Sequence, residues 1–85
     1  MKLFLTDRFR RDYGRLPSNL QDQVDQKLDL LLANSRHPSL QVKKMQGTAG
    51  IWELRVTQGY RLTFQIEKGG YLLRRIGTHD VLRQP

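Results

Sequence analysis

The sequence predicts an α+β fold in which an N-terminal strand and two helices precede a three-strand C-terminal meander. Three observations lead to this prediction: a short apolar stretch opens the chain, two segments with helical spacing follow it, and the last third alternates between apolar and polar residues. A period of two is typical of half-buried strands, and spacings of three and four are typical of amphipathic helices. The helices are therefore expected to pack on one face of an antiparallel sheet, leaving the other face free.

The beginning of the chain is predicted to form a strand and a brief helix. Lys2–Thr6 is short, apolar and bounded by polar residues, as an opening strand would be. A helical pattern starts at Asp7, with Thr6 able to cap it and Pro17 closing it. With 85 residues there is room for one small core, so we expect a single domain over residues 1–85.

A longer helix is the clearest element of the sequence. Ser18 and Gln21 have the spacing of a capping box, and the helix is expected to run to about Asn34. Residues 34–50 show no sustained period and are predicted to form a connection. One apolar stripe marks the helix, formed by Leu20, Val24, Leu28, Leu31 and Leu32.

The register of the first hairpin follows from its apolar residues. A three-residue loop over residues 57–59, with Gly59 in the left-handed conformation, keeps all the large apolar side chains on the helix side. The same register places Arg55 directly opposite Arg61 on the other side. Like charges across a ladder are unfavourable, so either Glu53 compensates them or the pair awaits an anion. The apolar pairs are Val56 with Tyr60, Leu54 with Leu62 and Trp52 with Phe64.

The second hairpin is predicted to have a three-residue loop, Lys68–Gly70. This loop pairs Ile66 with Leu72 and Leu62 with Ile76, and turns Arg74 toward the helices. A two-residue turn would exchange Arg74 with its neighbour Arg75.

This second register also sets the surroundings of the only histidine near the arginine pair. It places Arg75 opposite Thr63, and Gly77 opposite Arg61. Gly77 then leaves a gap beside Arg61, and His79 stands at the rim of that gap. The alternative is a surface histidine that caps a turn.

The charge of the chain indicates a polyanionic partner. Fifteen Lys and Arg against eight Asp and Glu give a net charge of +7, which suits nucleic acid, an acidic protein or a membrane surface. The absence of cysteine excludes disulfides and thiolate metal sites. We expect no metal and no cofactor. Without a secretory signal or an apolar run of membrane-spanning length, we expect a cytoplasmic protein and no membrane partner.

Two stretches, "QGTAGIWELRVTQGYRLTFQI" and "RRIGTHDVL", resemble the RelE/ParE superfamily of bacterial toxins, which are the toxic halves of type II toxin–antitoxin pairs. The resemblance covers nearly the whole chain and implies the same order of elements. The superfamily divides into ribosome-dependent endoribonucleases that cut messenger RNA and ParE-type proteins that poison DNA gyrase. The histidine of "GTHD" favours the RNA-cutting branch. A noncatalytic nucleic-acid-binding module is a third reading, but it lacks an exposed aromatic platform for stacking bases.

The resemblance assigns roles to individual residues. It implies that Arg61 contacts the scissile phosphate and that His79 transfers a proton. Arg55 matches a second basic position, and Lys44 lies near a catalytic acid or base. Several members carry an aromatic residue shortly after the histidine, where this chain has Val81–Arg83.

The implied chemistry is attack of a ribose 2′-hydroxyl on the adjacent phosphate, leaving a 2′,3′-cyclic phosphate, for which no metal is needed. Histidine titrates near neutral pH and can move either proton. Glu53 could accept the other proton, or Lys44 could donate it. The implied partners are a cognate antitoxin, the ribosome and messenger RNA, with DNA gyrase as the alternative target. The residues expected to bind RNA phosphates are Lys43, Lys44, Arg55, Arg75 and Arg83.

Overall fold

A computed structural model describes all 85 residues, and six of its seven helices and strands follow the predicted order. Two short 3₁₀ helices supplement them, Pro38–Leu40 and His79–Arg83. The α+β fold class is therefore confirmed. Neither α-helix is long and apolar enough to cross a membrane. The elements are β1 (Lys2–Leu5), α1 (Asp7–Gly14), α2 (Ser18–Ala33), β2 (Lys43–Lys44), β3 (Ile51–Arg55), β4 (Tyr60–Glu67) and β5 (Gly70–Thr78).

The five strands form one sheet in the order β1-β5-β4-β3-β2. β1 runs parallel to β5, while the other neighbours are antiparallel. The sheet is therefore mixed, and the prediction of an antiparallel sheet is wrong for its β1 edge. Gly70 is required at the start of β5, because a Cβ there would clash with the backbone oxygen of Lys2. β2 lies in the segment that we predicted to be a connection. That prediction missed β2 because two residues are too few to show a period.

The core lies between the helices and the sheet, as predicted. In the first hairpin Leu54, Val56, Leu62 and Phe64 are buried, and Trp52 and Tyr60 pack beside them half-buried. Ile66 is 54 % exposed, although alternation places it on the same side, because it borders an open groove beyond the end of α2. The other buried core residues are Phe9, Val24, Leu28, Leu31, Leu40, Tyr71, Leu73 and Ile76.

The first hairpin has the predicted register but a different tip. Arg55 pairs with Arg61, which confirms their opposition across the ladder. Thr57 and Tyr60 exchange two hydrogen bonds of 3.4 Å around a two-residue tip, and Val56 also donates to the Tyr60 oxygen at 3.0 Å. Val56 and Thr57 thus share one partner, as in a β-bulge. The predicted three-residue loop is therefore wrong, and so is the left-handed Gly59, because the tip has two residues and neither is left-handed.

The second hairpin also combines a tight turn with a bulge. Glu67 pairs with Gly70, so the loop has two residues and the predicted pairing of Ile66 with Leu72 is wrong. The register then shifts between Thr63 and Phe64. Beyond the shift the predicted pairs are confirmed: Thr63 with Arg75, Leu62 with Ile76 and Arg61 with Gly77.

Arg74 is the additional residue at this shift. The prediction that it faces the helices is wrong. Its Nη1 atom donates to Gln65 Oε1 at 2.6 Å, and its Nε atom donates to the Pro85 backbone oxygen at 3.0 Å. In a β-bulge, two residues of one strand stand opposite one residue of the other. The bulge explains why both Arg74 and Arg75 leave the helix side.

The helices begin as the sequence predicts in one case and not in the other. Thr6 Oγ1 accepts from the Phe9 N–H at 3.1 Å, which confirms the cap of α1. The capping box of α2 is wrong: Pro17 occupies the cap position, and Gln21 Nε2 donates instead to the Tyr13 backbone oxygen at 2.9 Å. Gln21 therefore connects α2 to α1 and does not cap its own helix.

A second contact between the helices involves the Tyr13 hydroxyl, which donates to Asp25 Oδ1 at 2.8 Å. The bond to this carboxylate raises the pKa of Tyr13 above its usual value.

The face opposite the helices is partly covered, so the expectation of a free face is wrong for its middle. Val81, in the last 3₁₀ helix, is buried, and Thr63 beneath this segment is fully buried. Thr63 Oγ1 donates to the Pro85 backbone oxygen at 3.1 Å. The predicted gap at Gly77 is occupied by Val81, since a Cβ on Gly77 would lie 2.7 Å from Val81 Cγ1.

Candidate functional site

A cleft of about 390 Å³ lies between the β2–β3 edge of the sheet and the last 3₁₀ helix. We call it the His79 cleft. It brings together four of the residues that the sequence singled out, one from the last 3₁₀ helix and three from the neighbouring strands. Its lining consists of Lys43, Lys44, Met45, Gln46, Glu53, His79 and Leu82.

Glu53 is the carboxylate of this cleft, and it is only 5 % exposed. It stands opposite Lys43 in the β2–β3 ladder, and Lys43 Nζ lies 3.1 Å from Glu53 Oε1. The Lys43 side chain is itself 74 % exposed. Lys44 pairs with Trp52 and so belongs by alternation to the other side of the sheet, although it borders the cleft. A lysine therefore neutralises Glu53 while remaining accessible from solvent.

His79 opens the last 3₁₀ helix directly after β5, and it is exposed. A 3₁₀ helix has three residues per turn, so His79 and Leu82 lie on the same side of it, facing the cleft. Val81 points the other way into the protein and anchors the helix on Gly77. The position of the imidazole is thus set by the packing of Val81.

Changing Gly77 to Ala tests this anchor. The added methyl group would stand 2.7 Å from Val81 Cγ1, too close for two carbon atoms, and the short branched valine has little freedom to move. We expect the free energy of unfolding to fall by about 1–3 kcal/mol, the range for an overpacked core. Urea denaturation would measure it. Gly14→Ala is the control, because a Cβ on Gly14 meets nothing within 4 Å. Equal stability of the two variants would contradict the anchoring role.

Arg61 does not line the His79 cleft. Its guanidinium bends back onto the turn between β3 and β4, where Nη1 donates to three carbonyl oxygens. The acceptors are Thr57 at 2.8 Å, Gln58 at 3.1 Å and Tyr60 at 3.1 Å. These carbonyl dipoles, and not Glu53, compensate the arginine pair, because Glu53 is engaged by Lys43.

Arg55, the other member of the pair, is half-buried, and its side chain forms no hydrogen bond or ion pair within the protein. The structure therefore keeps the paired arginines adjacent to the His79 cleft but outside it. Their place on the sheet is set by the ladder, in which Arg55 and Glu53 lie two residues apart on β3. That spacing is roughly 7 Å along a strand.

Arg75 and Arg83 line a different cleft, on the other side of the last 3₁₀ helix. Arg75 lies opposite Thr63 as predicted, but its side chain reaches over the sheet edge to α1, where Nε contacts Asp12 Oδ2 at 2.7 Å. Asp12 is buried, and the sequence reasoning missed it. The only local sign was its helical spacing from Arg8 and Arg15 on either side.

The family of the chain is shown by sequence comparison. The sequence profile described as the ParE toxin of type II toxin-antitoxin system, parDE, matches residues 3–82. This match over nearly the whole chain, together with the fold of two helices on a mixed sheet, identifies the class of protein as a toxin of a type II toxin–antitoxin system. The chain belongs to the ParE toxin family, within the RelE/ParE superfamily. No curated protein sequence matches it significantly.

Solved structures share the fold at low sequence identity. The YoeB/ParE toxin from Agrobacterium tumefaciens has a TM-score of 0.80 and 18 % identity, with 93 % of this chain and 99 % of that one covered. YafQ from E. coli strain BL21(DE3) has a TM-score of 0.79 and 15 % identity, with 95 % and 96 % covered. The RelB–RelE antitoxin–toxin complex from Methanococcus jannaschii gives 0.75 and 13 %, with 94 % of both chains covered. At these identities the similarity establishes the fold.

Proposed function

We propose that this toxin is a ribosome-dependent endoribonuclease that cleaves messenger RNA and thereby inhibits translation in the cytoplasm. The observation that carries the proposal is the His79 cleft, in which an exposed imidazole and a buried carboxylate line one space with two lysines. Cleavage of RNA through its 2′-hydroxyl needs two proton transfers and a positive environment for the phosphate. The cleft supplies both kinds of group.

The reaction assigns one proton to each titratable group. Glu53 accepts the proton of the 2′-hydroxyl as the 2′-oxygen bonds to phosphorus. His79 donates a proton to the 5′-oxygen as the bond between that oxygen and phosphorus breaks. The products are a 2′,3′-cyclic phosphate and a 5′-hydroxyl. His79 suits the donor role because it is exposed at the rim of the cleft, where a leaving strand has room to depart.

Cationic side chains around the cleft stabilise the charge that grows on the phosphate. Lys43 and Lys44 border the cleft, and Lys43 can reach a phosphate without leaving Glu53 because an ammonium group has three donors. Arg61 can contribute only after exchanging the turn carbonyls for phosphate oxygens. A guanidinium matches phosphate oxygens with two parallel donors, so the exchange is favourable once the substrate arrives. Arg55 lies directly across the ladder and supports the same charge.

The proposal includes two kinds of partner. The ribosome presents the message and completes the geometry around a site that is open in the isolated chain. A cognate antitoxin restrains the toxin, a partner for which the DinJ–YafQ toxin–antitoxin complex and the RelB–RelE complex are precedents in this fold. A net charge of +7 favours an acidic antitoxin segment.

A second candidate function is inhibition of DNA gyrase without RNA cleavage. Two observations favour it: the matching sequence profile is that of the ParE toxin, and Arg61 is held by the turn instead of facing His79. In this reading the basic surface binds a protein or DNA target, and the His79 cleft has no catalytic role.

One pair of assays separates the two functions. Purified toxin is added to ribosomes translating a defined message, and primer extension locates any cut. The same preparation is added to a gyrase supercoiling reaction. Cuts that require ribosomes, with gyrase unaffected, are the expected result. An intact message together with blocked supercoiling would establish the gyrase inhibitor instead.

A further inference from the structure

A second basic cleft, of about 490 Å³, lies on the opposite side of the last 3₁₀ helix from His79. We call it the arginine cleft. Four arginines line it: Arg8, Arg15, Arg75 and Arg83. Two carboxylates, Asp12 and Asp80, line it as well, so positive charge is in excess. None of its lining residues belongs to the His79 cleft.

Asp12 holds this cleft together. Its Oδ2 atom accepts from Arg75 Nε at 2.7 Å and from the Ile76 backbone N–H at 3.2 Å, while Oδ1 lies 3.8 Å from Arg8 Nε. The Asp12 side chain is only 8 % exposed. The buried carboxylate therefore fixes the guanidinium of Arg75 and attracts that of Arg8 to the same cleft before any ligand binds.

The arginines retain donors that no protein group uses. Arg75 Nη1 donates to the Gln84 backbone oxygen at 3.2 Å, but its Nη2 atom has no partner in the chain. Arg15 and Arg83 form neither a hydrogen bond nor an ion pair through their side chains. Asp80 forms no ion pair with any of them. Unused guanidinium donors in a fixed cleft favour an anion with several oxygens, such as a phosphate.

The last 3₁₀ helix separates the two clefts. Residues three apart lie on one side of such a helix, so His79 and Leu82 face the His79 cleft while Asp80 and Arg83 face the arginine cleft. The helix has five residues and a rise of about 2.0 Å per residue, so it is about 10 Å long. A single strand of a few nucleotides is longer than this helix. A chain of phosphates crossing this helix can therefore occupy both clefts.

We propose that the arginine cleft is a second phosphate-binding site, which holds RNA away from the point of cleavage. That the phosphates belong to RNA rests on the proposed function. They come either from the message that leaves the His79 cleft or from ribosomal RNA beside it. In both cases Arg8 and Arg15 bind phosphates, although neither belongs to the candidate active site.

The test compares two double variants, in α1 and at the residue that follows it, with the same charge. Arg8→Gln with Arg15→Gln removes two donors from the arginine cleft, and Arg10→Gln with Arg11→Gln removes two exposed arginines of the same helix that do not line it. The probes are a 2′-O-methyl RNA oligonucleotide long enough to span both clefts and ribosomes without message. Binding of each probe is measured by fluorescence anisotropy over a range of salt concentrations.

The cleft variant is expected to bind RNA about tenfold more weakly, and its log–log salt slope should shrink by about 1.4, since each single-strand phosphate contact contributes about 0.7. The Arg10 and Arg11 variant should lose much less. Weaker binding to the oligonucleotide identifies the message as the ligand, and weaker binding to ribosomes alone identifies ribosomal RNA.

Equal losses for the two variants with both probes would overturn the proposal. A polyglutamate peptide is a third probe, and a loss confined to this peptide would overturn the proposal as well, because the cleft would then bind an acidic protein. The oligonucleotide lacks a free 2′-hydroxyl, so its binding is measured independently of cleavage. A toxin that binds this RNA through Arg8 and Arg15 yet cuts no message would refute the proposed nuclease and leave the phosphate site standing.

Discussion

Replacing His79 by Gln is expected to slow messenger cleavage by about 100-fold or more, the usual effect of losing one general acid or base. The glutamine amide keeps polarity and approximate size but cannot transfer a proton at neutral pH. The fold should not change, because His79 is exposed and its ring forms no hydrogen bond within the protein. Primer extension on a translated message gives the rate, and ribosome co-sedimentation shows whether binding is retained.

The other histidine of the chain provides the matched control. His37 caps the short 3₁₀ helix Pro38–Leu40, and its Nδ1 atom accepts from the Ser39 backbone N–H at 3.2 Å. It does not line the His79 cleft. His37→Gln should therefore leave cleavage unchanged. If His79→Gln cuts as fast as the wild-type toxin, the histidine of "GTHD" is only a turn residue and does not transfer the proton.

The pairing of the central strands could be predicted from the sequence because alternation fixes which side chains share a face. Arg55 opposite Arg61 follows from keeping Trp52 and Phe64 on the helix side. The turns could not be predicted in the same way. Both hairpins combine a two-residue tip with a β-bulge, and the bulge shifts the register by the one residue that a longer loop would have supplied. Parity alone does not distinguish these two solutions.

The candidate site shows a similar division. Four of the residues that line the His79 cleft had been singled out from the sequence, and the β2–β3 ladder explains why Lys43 meets Glu53. The contact between Arg75 and Asp12 joins residues 63 positions apart, so no local sequence pattern could predict it. The cover over Thr63 was also missed, since five residues of 3₁₀ helix carry no strand alternation. Long-range packing thus decided which arginines share a cleft.

Arg61→Ala is the second large effect that we expect, with cleavage reduced by about 100- to 1,000-fold, the range for removing one donor to a developing negative charge. The reduction should not reflect unfolding. The three carbonyl oxygens that Arg61 contacts belong to a turn at the surface, where water can replace the guanidinium. Loss of Arg61 also relieves its repulsion with Arg55. We therefore expect a change in the free energy of unfolding of at most about 1 kcal/mol.

Two further variants test whether the effect of Arg61→Ala comes from the paired donors of the guanidinium or from its charge alone. Arg61→Lys keeps the positive charge but not the two parallel donors, so it should recover only part of the lost cleavage. Arg36→Ala removes the same charge from an exposed position outside the His79 cleft and should cut normally. Equal cleavage by Arg61→Ala and Arg36→Ala would mean that Arg61 never leaves the turn carbonyls. If Arg61→Ala instead relieves a block of gyrase while the wild-type toxin leaves messages intact, Arg61 serves target binding, because a guanidinium fixed on a turn presents a rigid charge to a protein surface.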